Sequence, residues 1–172
     1  GTPSIQGQGK YFIDAGHSTT IYNGECVKIS SGYVVGGNGS AADIVGVLNG
    51  IFYNDASTLK PTFANFYKAT ITPANSEDTV AFVMDDPFQQ YVVATDDART
   101  QAQFLATYDM NSSAGSDTTG KSSSTLDTSV TDANGKQFRL LRSAEDPENE
   151  DITAAFFSGI VVSNTNSFNG HN

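Results

Sequence analysis

Along the chain, hydrophobic positions alternate over short distances and never settle into a helical stripe. "ECVKIS" (25–30) gathers Cys26, Val27 and Ile29 into a brief apolar segment, Ser31-Gly32 interrupts it, and "YVVGG" (33–37) resumes it. Two extended runs around a two-residue turn containing Gly have the spacing of a tight hairpin. "DIVGVLNGIFY" (43–53) is a longer extended run with Gly46 and Gly50 inside it. Interior glycines mark a bulge or a sharp bend, so this strand is expected to curve strongly, as in a small barrel. "NFYKATIT" (65–72) places Phe66, Lys68, Thr70 and Thr72 on one face and Tyr67, Ala69 and Ile71 on the other. "TVAFVMDDP" (79–87) is nearly all apolar up to the turn at Asp85-Asp86-Pro87, which predicts a strand buried on both faces. "QQYVVAT" (89–95) is expected to pair back on it as a hairpin.

"DDARTQAQFLATYDM" (96–110) supports one short helix over 98–106, N-capped by Asp96 or Asp97, and then a strand. Residues 111–135 are dominated by Ser, Thr, Asp and Gly, with Leu126 and Val130 the large apolar exceptions, and read as a long loop or projection. "KQFRLLRS" (136–143) and "ITAAFFSGIVVSN" (152–164) return to strand character around the acidic loop "AEDPENED" (144–151). The expected fold is all-β: a small β-barrel or β-sandwich of about eight to ten short antiparallel strands, with a long polar loop and at most one short helix. The expected organisation is an extended N-terminal arm over 1–20 and a compact β domain over 21–172 with the polar projection at 111–135. In the arm only "KYFID" is strand-like; its Gly, Gln and Thr surroundings give it no local reason to order, so it is either disordered or ordered by a partner.

Charge narrows the function classes. The 172 residues are 38% hydrophobic, enough to bury a core, and nine basic residues against nineteen acidic ones leave a formal net charge of −10. A nucleic-acid binder needs a basic face to displace counterions, and an anionic membrane surface asks for the same. No apolar run approaches the ~18 residues of a membrane-spanning helix. Cys26 is the single cysteine, so no intrachain disulfide can form, which fits assembly in a reducing cytoplasm.

The candidate chemistry is thin. His17 and His171 lie near the chain ends and read as solvated surface groups, since a zinc site needs three or four ligands converging from rigid elements. Ser is plentiful, but no G-x-S-x-G elbow is present and a base held on a chain end is a poor partner for a nucleophile. Asp85/Asp86 and Asp96/Asp97 are adjacent carboxylates, not a pair facing each other across a cleft as glycoside hydrolysis requires. The Glu145–Asp151 loop has the composition of a weak surface Ca²⁺ site without its ligand spacing. The glycines at 7–9 and 36–39 lack the following helix N-terminus of a phosphate cradle. Cys26, among apolar neighbours, reads as a small buried hydrophobe. No catalytic, metal or cofactor-binding residue is assigned, and the chain reads as a non-enzyme.

One resemblance is carried by a series of motifs in order. Gly24-Glu25-Cys26-Val27, Ser31-Gly32-Tyr33-Val34 and Val45-Gly46-Val47-Leu48-Asn49-Gly50 are followed by "VAFVMDDP", "QQYVVAT", "TGKSSSTLD" (119–127) and "DPENE" (146–150). Over about residues 21–164 this series resembles capsid decoration, or cement, proteins of tailed bacteriophages. The resemblance implies a virion structural protein on the capsid exterior, made in the host bacterial cytoplasm. Its partner would be the major capsid protein, whose shell it stabilises, and it would be a homo-oligomer, a trimer before a dimer, with no cofactor, nucleic acid or membrane. Ile5, Tyr11, Phe12 and Ile13 in the arm are then the expected partner-binding residues, adding a strand to a neighbouring subunit. The alternative is a carbohydrate- or surface-binding β module of a phage fibre or adhesin, marked by exposed aromatic rings near Asp and Asn side chains.

Overall fold

The computed structural model describes residues 7–39, 43–111, 115–132 and 135–168. These form strands β1 (Gly9–Ile13), β2 (Cys26–Ser30), β3 (Tyr33–Gly36), β4 (Gly46–Asn54), β5 (Pro61–Ala64), β6 (Thr79–Met84), β7 (Gln90–Ala94), β8 (Thr107–Met110), β9 (Leu126–Asp132), β10 (Phe138–Ser143) and β11 (Ser158–Ser163). The protein is all-β, with two antiparallel sheets, in the order β1-β6-β4-β2-β3 with β5 also on β4, and β7-β11-β10-β8-β9. Neither closes into a barrel, although the first sheet curls enough to bring β1 and β3 near each other.

The compact β domain expected over 21–172 resolves into two units. The first comprises Gly1–Gly37, Val45–Asp86 and Ala114–Ser123; the second comprises Asn38–Ile44, Pro87–Ser113 and Ser124–Asn172. Inside the first unit Ile13, Ile21, Val27, Val34, Leu48, Ile51, Tyr67, Ala81 and Val83 form one buried cluster. The second unit buries Ile44, Tyr108, Leu126, Phe138, Leu140, Phe157 and Val161. Cys26 is buried, as its apolar neighbours suggest.

Local chemistry explains several elements. Ser31 and Gly32 both take positive φ, 51° and 89°, the geometry of the two-residue turn that joins β2 to β3. In β4 the register against β6 shifts between Leu48 and Gly50, the bulge expected there. Gly46 lies so close to the Met84 carbonyl oxygen that a Cβ would overlap it, so this crossing of β4 and β6 admits only glycine.

Other expectations are corrected. Residues 9–13 are not a free arm: β1 pairs with β6 from Gly9↔Val83 to Ile13↔Thr79, Ile13 is fully buried, and the Tyr11 hydroxyl donates to Asp85 at 2.8 Å. Two core-facing side chains and a ladder to an internal strand supply the order that the flanking polar residues lack. β6 alternates, with Thr79, Ala81 and Val83 buried and Val80, Phe82 and Met84 half-buried. It does not form a hairpin with β7, which joins the other sheet on β11. Residues 65–72 form no strand; Tyr67 makes a single bridge to Ile21. The short helix over 98–106 is one 3-10 turn at Gln101–Gln103, boxed by Thr100 and Gln103, not capped by Asp96 or Asp97.

The polar stretch at 111–135 is no single projection. Its described part from Leu126 to Asp132 is β9, on β8, with Leu126 fully buried. Residues 115–122 lie in the first unit: Asn23 and Gly120 bond through their backbones at 2.8 Å, Asn65 Nδ2 donates to the Thr119 carbonyl at 2.9 Å, and Tyr22 donates to Asp117 at 2.8 Å.

Candidate functional site

Strand alternation gives the first sheet two faces, and register decides which residues meet on each. Ile13, Ala81 and Ile51 turn into the core. The residues between them point the other way and line up: Phe12 opposite Val80, Val80 opposite Phe52, and Phe52 opposite Phe63. The next row sets Lys10 opposite Phe82 and Phe82 opposite Gly50. An outward row of three phenylalanines and a valine thus crosses four strands, with a fourth phenylalanine beside it.

Three of the rings touch one another, and Phe63 and Phe12 remain exposed. The Phe52 and Phe63 centroids are 4.8 Å apart and tilted; Phe63 and Phe82 stack at 6.4 Å. Phe63 is 73% exposed and Phe12 46%. The Lys10 ammonium sits 5.7 Å from the Phe12 centroid, within cation–π range. Contiguous exposed apolar surface beside polar residues is a feature that interaction sites share.

The row runs into an open cleft of about 330 Å³, lined by Phe12, Phe52, Tyr53, Val80, Asn54, Pro73, Glu77 and Asp78. Its polar wall comes from the segment before β6. The turn at Ala74–Ser76 holds Asn75 and Ser76 at φ of 56° and 55°, and the chain then enters β6 with Glu77 and Asp78 at its mouth. Asn54 Nδ2 donates to Glu77 at 3.3 Å, and the Ala15 amide donates to Asp78 at 3.2 Å. The wall is electronegative. Asp78, by its charge and a hydrogen bond, holds the Tyr33 phenol above its ordinary pKa, with Asp14 adding to it. Burial and then the Asp55 charge push the Tyr53 phenol up.

Of the expected partner-binding residues, Phe12 is on this face, Tyr11 and Ile13 are turned toward the core, and Ile5 is outside the described residues. Phe52, Phe63 and Phe82 were not singled out from sequence; each sat in a strand whose outward face one strand alone cannot identify. His171 is outside the described residues. His17 is half-buried, not solvated: its ring packs 5.6 Å from Tyr67 and its Nε2 is buried without a hydrogen-bond partner. Burial lowers its pKa, against the opposing charge of Asp14.

The other candidates serve local structure. Asp85 accepts from Tyr11, and Asp97 accepts from the Ala98 amide at 2.8 Å. Asp96 accepts from the Thr128 amide, the Thr128 hydroxyl and Asn111. Asp146 and Asp151 fold their carboxylates onto neighbouring amides, as turn residues do. Among the described residues no three His, Cys, Asp or Glu side chains are grouped to hold a metal ion, and no helix is long and apolar enough to cross a membrane. No family model, curated protein or solved structure matches the chain.

Proposed function

We propose that the chain is a structural binding protein that docks on the outer surface of a tailed-phage head through the aromatic face of its first sheet, and stabilises the mature shell. The observation that carries docking is the outward row Phe12–Val80–Phe52–Phe63. Covering a largely exposed phenylalanine is worth roughly 1.5–3 kcal/mol, so a few such rings on one sheet face suit a protein surface of matching shape. The head is the surface to which the resemblance over residues 21–164 points. Stabilisation would follow by mass action: a protein that binds the expanded shell better than its precursor shifts the shell toward the expanded state, and many symmetric copies add small energies.

The test adds purified protein to empty expanded heads and measures saturable binding and the heat resistance of the particles. Wild type should saturate and raise that resistance. The double variant Phe52→Ser/Phe63→Ser should do neither while still melting cooperatively; full occupancy by this variant overturns the assignment of the face.

A second reading draws on the cleft. Asn54, Glu77 and Asp78 stand beside aromatic rings, the arrangement expected of a carbohydrate-binding module. A glycan array separates the two: selective glycan binding, together with no binding to any head, would favour the adhesin reading.

A further inference from the structure

The aromatic face has an acidic end, and that end has a chemistry of its own. We infer that the cleft between Phe12, Phe52 and Tyr53 and the carboxylates of Glu77 and Asp78 takes a basic side chain, lysine or arginine, from the docking partner. The inference rests on the reading of the aromatic row as the docking face, and narrows what the partner must present there.

Three features of the cleft point to an organic cation. Its floor is aromatic, and an ammonium or guanidinium is attracted to the face of such rings. The protein itself places the Lys10 ammonium 5.7 Å from the Phe12 centroid, so this ring already accepts a cation. The wall carries Glu77, which accepts from Asn54, and Asp78, which accepts from the Ala15 amide and is hydrogen-bonded to Tyr33; both carboxylates line the cleft. Asp14 and Asp55 add to the same field, as their effect on Tyr33 and Tyr53 records. The volume, about 330 Å³, admits an extended lysine or arginine side chain. A neutral sugar could donate its hydroxyls to the same carboxylates, but only a cation adds ion pairing to the contact with the rings. A net charge of −10 further favours basic partners during approach, by steering.

The probe is Nα-acetyl-lysine methylamide, titrated into the full chain and followed by amide chemical shifts, with the norleucine analogue as its uncharged isostere and a methyl glycoside as the neutral ligand. The lysine probe should shift residues 12, 52–54 and 77–80 saturably and bind about tenfold more tightly than the norleucine analogue. Glu77→Gln, which keeps the shape of the wall, should weaken it several-fold, and raising the salt concentration should do the same. Equal binding of the norleucine analogue, preference for the glycoside, or no effect of Glu77→Gln would each overturn the inference. Phe63→Ser separates it from the docking reading, because Phe63 does not line the cleft. Loss of head binding with lysine binding intact supports both. Lysine binding by a wild-type chain that occupies no head leaves the cation site standing and removes the docking reading.

Discussion

The two sheets share an antiparallel construction and a buried inner row, and differ in what they turn to solvent. The first sheet sends out Phe12, Val80, Phe52 and Phe63 in one register row. The corresponding rows of the second sheet read Gln90–Val162–Arg139 and Val92–Ile160–Arg142, each containing an arginine. Inner rows are alike because both sheets need a core. Outer rows are free of that demand, and cross-strand ring pairs can stabilise a sheet only modestly, which does not require Phe63 and Phe12 to stay so exposed. Interspersed charge keeps a sheet face soluble and unattractive to neighbours; both rows of the second sheet contain an arginine, whereas in the first sheet Lys10 stands in the neighbouring row and the row Phe12–Val80–Phe52–Phe63 carries no charge.

The comparison breaks most visibly at the inner rows, where the two sheets should behave alike. Ile51 in the first and Leu140 in the second are both essentially inaccessible. Ile51→Ala and Leu140→Ala should each cost about 2–5 kcal/mol, read as a lower urea midpoint at unchanged slope. A cost near zero for either would mean that its sheet is held together by something other than this packing.

Smaller effects come from ionisable groups, and here the units part in sign and window. In the second unit, burial works against the Asp96 charge, but hydrogen bonds from Thr128 and Asn111 outweigh it and hold the carboxyl below its ordinary pKa. A depressed carboxyl contributes stability that is present above the unfolded value, about 4, and is lost as pH falls through the folded one. Asp96→Ala should cost about 1–3 kcal/mol at neutral pH and flatten the loss of stability at strongly acid pH. In the first unit, His17 is held neutral by burial, so the unfolded chain binds its proton more readily than the folded one. Nothing changes above the unfolded value, about 6.5; as pH drops below it, the unfolded state gains. Thermal melts from about pH 7 to about pH 5 should therefore show a falling midpoint, and His17→Phe should fall less. A variant that tracks wild type across that range would show that His17 ionises in the folded state without hindrance.

The parts of this fold that could be read from sequence are those written in adjacent residues. Ser31-Gly32 sets its turn by its own backbone preference, and Gly46 and Gly50 mark the irregular part of β4 because a missing side chain is visible without knowing the neighbour. Pairing over a distance is not written that way. β7 follows β6 by a short turn, yet Tyr91 and Val93 find their places on β11. β5 opens on Pro61, which lowers its strand character but is tolerated at the first residue of a strand. Residues 115–122 have no apolar pattern; their order is supplied from outside, by Asn23, Asn65 and Tyr22. The aromatic face was hidden for a related reason. Alternation in "TVAFVM" shows that Val80, Phe82 and Met84 share a side, but which side meets water depends on Ile13 and Ile51, far away in sequence.

The smallest effect on stability is the one that tests the contrast between the outer rows. Phe63 and Val92 are similarly exposed, at 73% and 68%, and each is the outermost residue of its row, on β5 and on β7. Substituting either by Ser removes little buried area, so both Phe63→Ser and Val92→Ser should lie within about 0.5 kcal/mol of wild type. Their consequences for docking should separate. Phe63 stacks on Phe82 and tilts against Phe52, so its loss removes the most exposed ring of a continuous patch; Val92 pairs with Ile160 beside Arg142, and its loss changes one isolated apolar pair. Head occupancy should fall sharply for Phe63→Ser and stay at the wild-type level for Val92→Ser. Were Val92→Ser the variant that loses occupancy, the face that binds would be the interspersed one, and surface aromaticity would be the wrong guide to where this protein docks.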